Sequence, residues 1–340
     1  MPNPSPGSHE WLQQVQEPIL DPERRIVDPH HHLWHRPGND YLLDDLLADT
    51  GSGHKVELTV FVECGASYRD TGPEHLRCVG ETEFVSAIAQ ASRERRRENG
   101  GAIIAAIVAR ADLTLGEAVE EVLDAHAEAG RGLFRGIRHA GARDPHPEAL
   151  TIPGRAIEGL YARADFRRGL ARLGALGYPY DTWHYHHQNA DFAALARAVP
   201  GTTLILDHFG TPLGVGPYAG RREQIFDQWR RDISAIAACP NVIAKLGGLA
   251  MPDNGFGWDR RDRPPGSDEF VAAQRRYYLH TIEAFGPERC MFESNFPVDK
   301  RSLSYAVLFN GLKKIAAEFT QAEQDAMFYG TAARVYQLTA

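Results

Sequence analysis

The chemistry-bearing residues of this chain gather in a few short stretches, and the first is Asp28-Pro29-His30-His31-His32. A short apolar run, Ile26-Val27, leads into it. If that run continues as a strand, residues two apart share a face. Asp28, His30 and His32 would then point one way and His31 the other. Two imidazoles spaced i, i+2 at a strand end can grip one divalent ion, because neutral imidazole is a common ligand for such metals. The plainer reading of an isolated HxH is a histidine-rich surface loop. The residues that follow decide between them.

The positioning elements come next. Apolar, β-branched runs fall at 26–28, 57–63, 102–108, 133–138, 178–183, 203–207, 242–246 and 289–293, with helix-like segments between most of them, among them 81–98, 115–129, 191–199, 222–238 and 268–285. Strands alternating with helices imply parallel pairing through crossovers. Eight of them before a helical tail (303–318 and 321–337) predict an α/β fold, a (β/α)8 TIM barrel, as a single domain over 25–340. Residues 1–24, rich in proline and polar side chains, read as an N-terminal arm. A doubly wound open sheet is the alternative; no glycine-rich phosphate turn follows the first strand to support it.

Function in such a barrel sits at the C-terminal strand ends. There the sequence places His30-x-His32, Glu63-Cys64, Arg138-His139, Trp183-His184-Tyr185-His186-His187, Asp207-His208, Lys245 and Glu293-Ser294-Asn295. Seven of the 15 histidines lie at the ends of strands 1, 5 and 6, which favours a histidine-lined mouth over chance. Arg138 reads either as a bidentate clamp on a substrate carboxylate or as a structural ion pair with Glu63. Lys245 reads as an ion pair within the mouth. Arg221, ending a glycine-rich stretch, reads as a substrate contact or a solvated helix start. The long polar loop 253–268 carries Trp258 and reads as a lid.

Composition excludes other classes. A formal net charge of −8 offers no electrostatic case for nucleic acid. No run reaches the length of a membrane span, and the first residues lack a signal-peptide pattern. Four scattered cysteines, two of them in strands, read as buried thiols of a reducing compartment, so the expectation is a cytoplasmic protein. Its expected partner is a small molecule; homo-oligomerisation is left open.

Taken together, DPHHHLW (28–34), FRGIRH (134–139), LDHFG (206–210) and MFESNFP (291–297) resemble the amidohydrolase superfamily, in the amidohydrolase 2 branch that holds sugar-lactone and pyrone-dicarboxylate lactonases. The resemblance covers Ile26 to the end of the sequence. It implies a hydrolase opening a lactone of a small carboxylated or polyhydroxy compound, a carboxylic-ester hydrolase, assisted by a divalent ion such as zinc or manganese. Carried over by position, it implies metal ligands at His30, His32 and His208, with His184 at the strand-5 position. If Asp181 points inward instead, Trp183 and Tyr185 line the mouth. The superfamily normally places an aspartate at the end of strand 8; this chain has Asn295, which cannot act as a carboxylate base. Catalytic candidates are therefore His208, Asn295, Glu63 and Glu293, the last sharing the face of Asn295 one layer deeper. A metal-dependent decarboxylase of a small aromatic or unsaturated acid, and a non-catalytic barrel that binds a small acid, stay open as alternatives.

Overall fold

The computed structural model describes residues 4–339. Residues 1–3 of the expected arm and residue 340 lie outside it. Eight strands form one parallel sheet in the order of the chain: β1 (Arg25–His31), β2 (Lys55–Val62), β3 (Ile103–Arg110), β4 (Phe134–Arg138), β5 (Tyr180–Thr182), β6 (Leu204–Leu206), β7 (Val242–Leu246) and β8 (Cys290–Phe292). The first and last strands meet beyond the end of β8. His31 bridges to Phe296, the Asn295 amide donates to the His30 carbonyl at 2.9 Å, and the His32 amide donates to Phe296 at 2.8 Å. The result is a nearly closed (β/α)8 barrel, the TIM-barrel architecture.

Alternation along the strands sorts the side chains into two sets. Leu204, Leu206, Val242, Ala244, Leu246, Cys290 and Phe292 face the surrounding helices. Val27, Leu58, Val60, Val62, Val108, Ile205, Ile243 and Met291 fill the barrel interior. Continuing the period of two from Ile205, Ile243 and Met291 brings Asp207, Lys245 and Glu293 into the barrel one layer higher. An apolar floor under a charged upper layer is thus written in the strands themselves.

The helices are α1 (His9–Leu12), α2 (Leu43–Thr50), α3 (Val79–Asn99), α4 (Glu120–Gly130), α5 (Ala164–Ala175), α6 (Asn189–Ala198), α7 (Arg222–Ala237), α8 (Ser267–Phe285), α9 (Tyr305–Ala316), α10 (Gln321–Asp325) and α11 (Thr331–Val335). The expected last helix is broken by a π-turn over Ala326–Gly330. Ala332 of α11 and Tyr336 just after it join the interior cluster and seal the barrel floor. The arm lies against the outside of the barrel. Trp11 is fully buried and donates to the Arg261 carbonyl at 2.9 Å, while Glu17 accepts from the Ser267 amide at 2.7 Å. No helix among the described residues is long and apolar enough to cross a membrane.

Candidate active site

The upper layer of the barrel holds the site. His30 comes from the end of β1, where the register shifts between Asp28 and His31. That irregularity breaks the expected common face. Asp28 turns to the β1/β8 junction, accepting from the Ser294 amide at 2.9 Å and the Tyr305 hydroxyl at 3.1 Å. His30 stays inside the barrel, and His31 packs outward on Phe61.

Asp207 and His208 are consecutive, so a continuing strand would send them to opposite faces. Instead the backbone turns left-handed at His208 (φ 54°) and Phe209 (φ 59°). The Trp229 indole holds this turn by donating to the Phe209 carbonyl at 2.7 Å. His208 is thereby returned to the interior beside Asp207. Gly248 makes room for it: a Cβ there would lie 2.2 Å from His208 Nδ1.

His30, Asp207 and His208 offer ligand atoms that all lie within 4.8 Å of one another, each residue buried. The imidazoles are oriented from behind. His30 Nδ1 lies 2.7 Å from Glu293 Oε2, and His208 Nδ1 lies 2.6 Å from Glu293 Oε1. Arg138 also approaches His30, donating towards Nε2 at 3.4 Å, and Lys245 stands 3.5 Å from its Nδ1. A carboxylate behind each imidazole is the usual arrangement for a histidine that presents its other nitrogen to a metal. His32 stands beside His30, ring centroids 4.9 Å apart, with Nδ1 on the Val62 carbonyl at 2.8 Å; it lies outside the closest set of three.

Burial first, and then neighbouring cations, hold His30 well below the ordinary imidazole pKa. Burial likewise brings His208 to about 3, so both rings are neutral. Burial lifts Asp207 to about 6 against the pull of Lys245. It also raises Glu293 above the ordinary carboxylate range, again opposed by Lys245.

Two cations bracket this group. Arg138 donates from Nε to Glu63 Oε1 at 2.8 Å and from a second nitrogen to the Glu63 carbonyl. Its remaining nitrogen lies 3.9 Å from Asp207. The ion pair weighed for Arg138 is present, and it occupies most of the fork that a substrate clamp would need. Lys245 pairs with Asp181 at 2.5 Å and stands 3.5 Å from Asp207. The Tyr336 hydroxyl reaches up from the floor to the same Asp181 oxygen at 2.7 Å.

Several expected site residues lie elsewhere. His184 is buried with both ring nitrogens engaged, by Asn189 at 2.9 Å and Tyr161 at 3.1 Å. Asp181 is the inward residue of β5, paired with Lys245, while Trp183, just past the strand, packs edge-on against Tyr185 with ring centroids 5.5 Å apart. Tyr185 is fully buried and ties the loop after β4, bonding Ile152 and Gly154. Arg221 is exposed and donates to Gln224 at 3.1 Å. Trp258 is only 2% exposed and stacks on Phe256, so its indole packs into the body of the molecule. Asn295 is buried, with its amide donating to Asp299 at 2.9 Å. In the sequence Asp207 stands only as the residue before His208, with no role assigned, although counting by twos from Ile205 places it inside; Asp181 is there the inward alternative on strand 5, and its ion pair with Lys245 inside the barrel agrees with that alternative.

The donor set suits a divalent cation: two neutral imidazoles and a buried carboxylate whose oxygens have no hydrogen-bond partner among the described residues. His30, His208 and Asp207 could hold one.

A parallel barrel with this histidine–aspartate group at its strand ends is the architecture of a hydrolase of the amidohydrolase type. The chain belongs to the amidohydrolase family, whose model matches residues 27–338. It is 29% identical to the L-fucono-1,5-lactonase of Burkholderia multivorans, over 92% of this chain and 96% of that one. It is also 29% identical to protein y4mH of Sinorhizobium fredii, over 92% of this chain and 98% of that one. A zinc-bound crystal structure of a B. multivorans amidohydrolase superposes with a TM-score of 0.71 at 26% identity, covering 92% of this chain and 99% of that chain.

Proposed function

We propose that the protein is a metal-assisted lactonase that opens a cyclic ester of a small, polar acid. The observation that carries this reading is Asp207. Its carboxylate sits between His30 and His208, under two cations, with neither oxygen hydrogen-bonded among the described residues. The likeness to a fucono-lactonase over nearly the whole chain supports the substrate class, and the zinc in the related barrel supports the cofactor.

A zinc or manganese ion held by His30, His208 and Asp207 would supply Lewis acidity for the ester carbonyl and acidify a bound water. The chain's own groups do the rest. Arg138 and Lys245 place fixed positive charge where the carbonyl oxygen becomes an oxyanion. Asp207, whose oxygens carry no hydrogen bond among the described residues, takes the proton from the attacking water. As the ring C–O bond breaks, that proton passes to the departing ring oxygen, and the product is the open hydroxy acid. Glu293 stands behind both imidazoles, one oxygen to each Nδ1, and orients the two rings. His32 supports His30 from the side.

The test is acid release from a panel of aldono-1,4- and 1,5-lactones by wild type and Asp207→Asn. Wild type should open at least one lactone, and the near-isosteric variant should lose a factor of about 10² or more in kcat. Carbon dioxide release from a carboxylic acid, with every lactone inert, would overturn the reading in favour of decarboxylation.

A further inference from the structure

One cation on the rim of the barrel forms no ion pair within 4 Å among the described residues, its nearest acidic influence being the half-exposed Asp112 two residues on. In β3, Ala106 and Val108 belong to the interior cluster, whereas Ile107, Ala109 and Ala111 belong to the outer core. Alternation therefore puts Arg110 on the inner face at the rim. It lies in register with Arg138 of the adjacent strand.

The three inner cations are treated differently by the fold. Arg138 is neutralised by Glu63, and Lys245 by Asp181. Arg110, half-buried, donates only to the carbonyl of Ala111, its own chain neighbour. Among the described residues no carboxylate forms an ion pair with it. A guanidinium carries five donors in a planar fork suited to a carboxylate. Half-buried and bonded by one nitrogen to a neighbouring carbonyl, it keeps most of those donors for a ligand. Adjacent strands lie about 4.8 Å apart, so the Arg110 and Arg138 side chains leave neighbouring points of the rim.

We propose that Arg110 is the specificity-determining residue of the site: it grips a carboxylate that the substrate carries beyond the lactone ring, so the preferred substrate is a carboxylated lactone. This rests on the lactonase reading and narrows it. Arg138, held by Glu63, is left for the reaction centre.

The test compares D-glucaro-1,4-lactone with D-glucono-1,4-lactone, which share a ring and differ at one terminal carbon, carboxylate against hydroxymethyl. Wild type should favour the carboxylated lactone by at least about tenfold in kcat/KM, mainly through KM, as a charge-assisted bidentate contact provides. Arg110→Gln should bring that ratio to within about threefold of one, and Arg110→Lys should retain part of it. A wild-type ratio below about tenfold, or one undiminished in Arg110→Gln, overturns the assignment. If Arg110→Gln shows no cooperative thermal transition, the lysine variant decides: a ratio reduced about threefold supports it, an unchanged ratio overturns it. If neither lactone opens, the failure belongs to the lactonase reading, and calorimetric binding of D-glucarate decides the anion site. Wild type should then bind at least about tenfold more tightly than Arg110→Gln. Equal binding, or none, overturns the anion site as well.

Discussion

The backbone at Asn295 is left-handed, with φ 57°, a conformation that asparagine and aspartate tolerate better than most side chains. The choice between them is made by Asp299, whose buried carboxyl accepts from the Asn295 amide at 2.9 Å and from the Ala250 amide at 3.1 Å. An aspartate at 295 would exchange that donor for a second acceptor. Asn295→Asp should therefore lower stability at neutral pH by about 1–3 kcal/mol, read as a fall in the urea midpoint. Burial already holds Asp299 well above the ordinary carboxylate range, and a neighbouring carboxylate raises both groups further. Groups whose pKa is higher in the folded state lose stability as pH rises. The deficit of Asn295→Asp should thus be smaller near pH 5 than near pH 7.5. A deficit that grows on acidification would contradict this account. The absence of a carboxylate at 295 does not leave the site without one, since Asp207 and Glu293 both lie within it.

At the scale of elements, the strands were legible because their pattern is local. β-branched runs with a period of two need no tertiary information, and the same count placed Glu293 inside and offered Glu63 as the partner of Arg138. What was not legible lies just past the strand ends. His208 faces the site only because the chain turns left-handed there, braced by Trp229 from α7 and accommodated by Gly248 after β7. His184 is occupied by partners from two other segments, Asn189 and Tyr161, and Asp28 leaves its expected face at a register shift. None of these can be read without knowing which segments become neighbours. Tyr336 is of the same kind: a residue beyond α11 that completes the Asp181–Lys245 pair from below. Tyr336→Phe keeps the ring that seals the floor and removes one hydrogen bond. It should cost about 1 kcal/mol in denaturant unfolding and leave Lys245 paired with Asp181. A loss several times larger would mean that the hydroxyl organises more than this pair.

For the molecule as a whole, the arm and the barrel's closing junction set the order of events under stress. The arm holds the loop between β7 and α8 from outside, through Trp11 on Arg261 and Glu17 on Ser267. The junction between β1 and β8 is different in kind from the seven ladders around the rest of the sheet. It is closed by one backbone bridge, by amide hydrogen bonds to the His30 and Phe296 carbonyls, and by the side chains of Asp28 and Ser294, all next to the residue that carries β1's part of the site. Regions with few cross-strand bonds open locally at lower free energy than the global transition. The amides of His32 and Asn295 should therefore exchange with deuterium before those of β2, β3 and β7. Because the same opening separates His30 from His208 and Glu293, catalysis should vanish at urea concentrations where tryptophan fluorescence still reports a folded barrel. Coincident loss of the two signals would mean that the junction holds as long as the rest. On this geometry the enzyme is switched off by unzipping one edge, well before it unfolds.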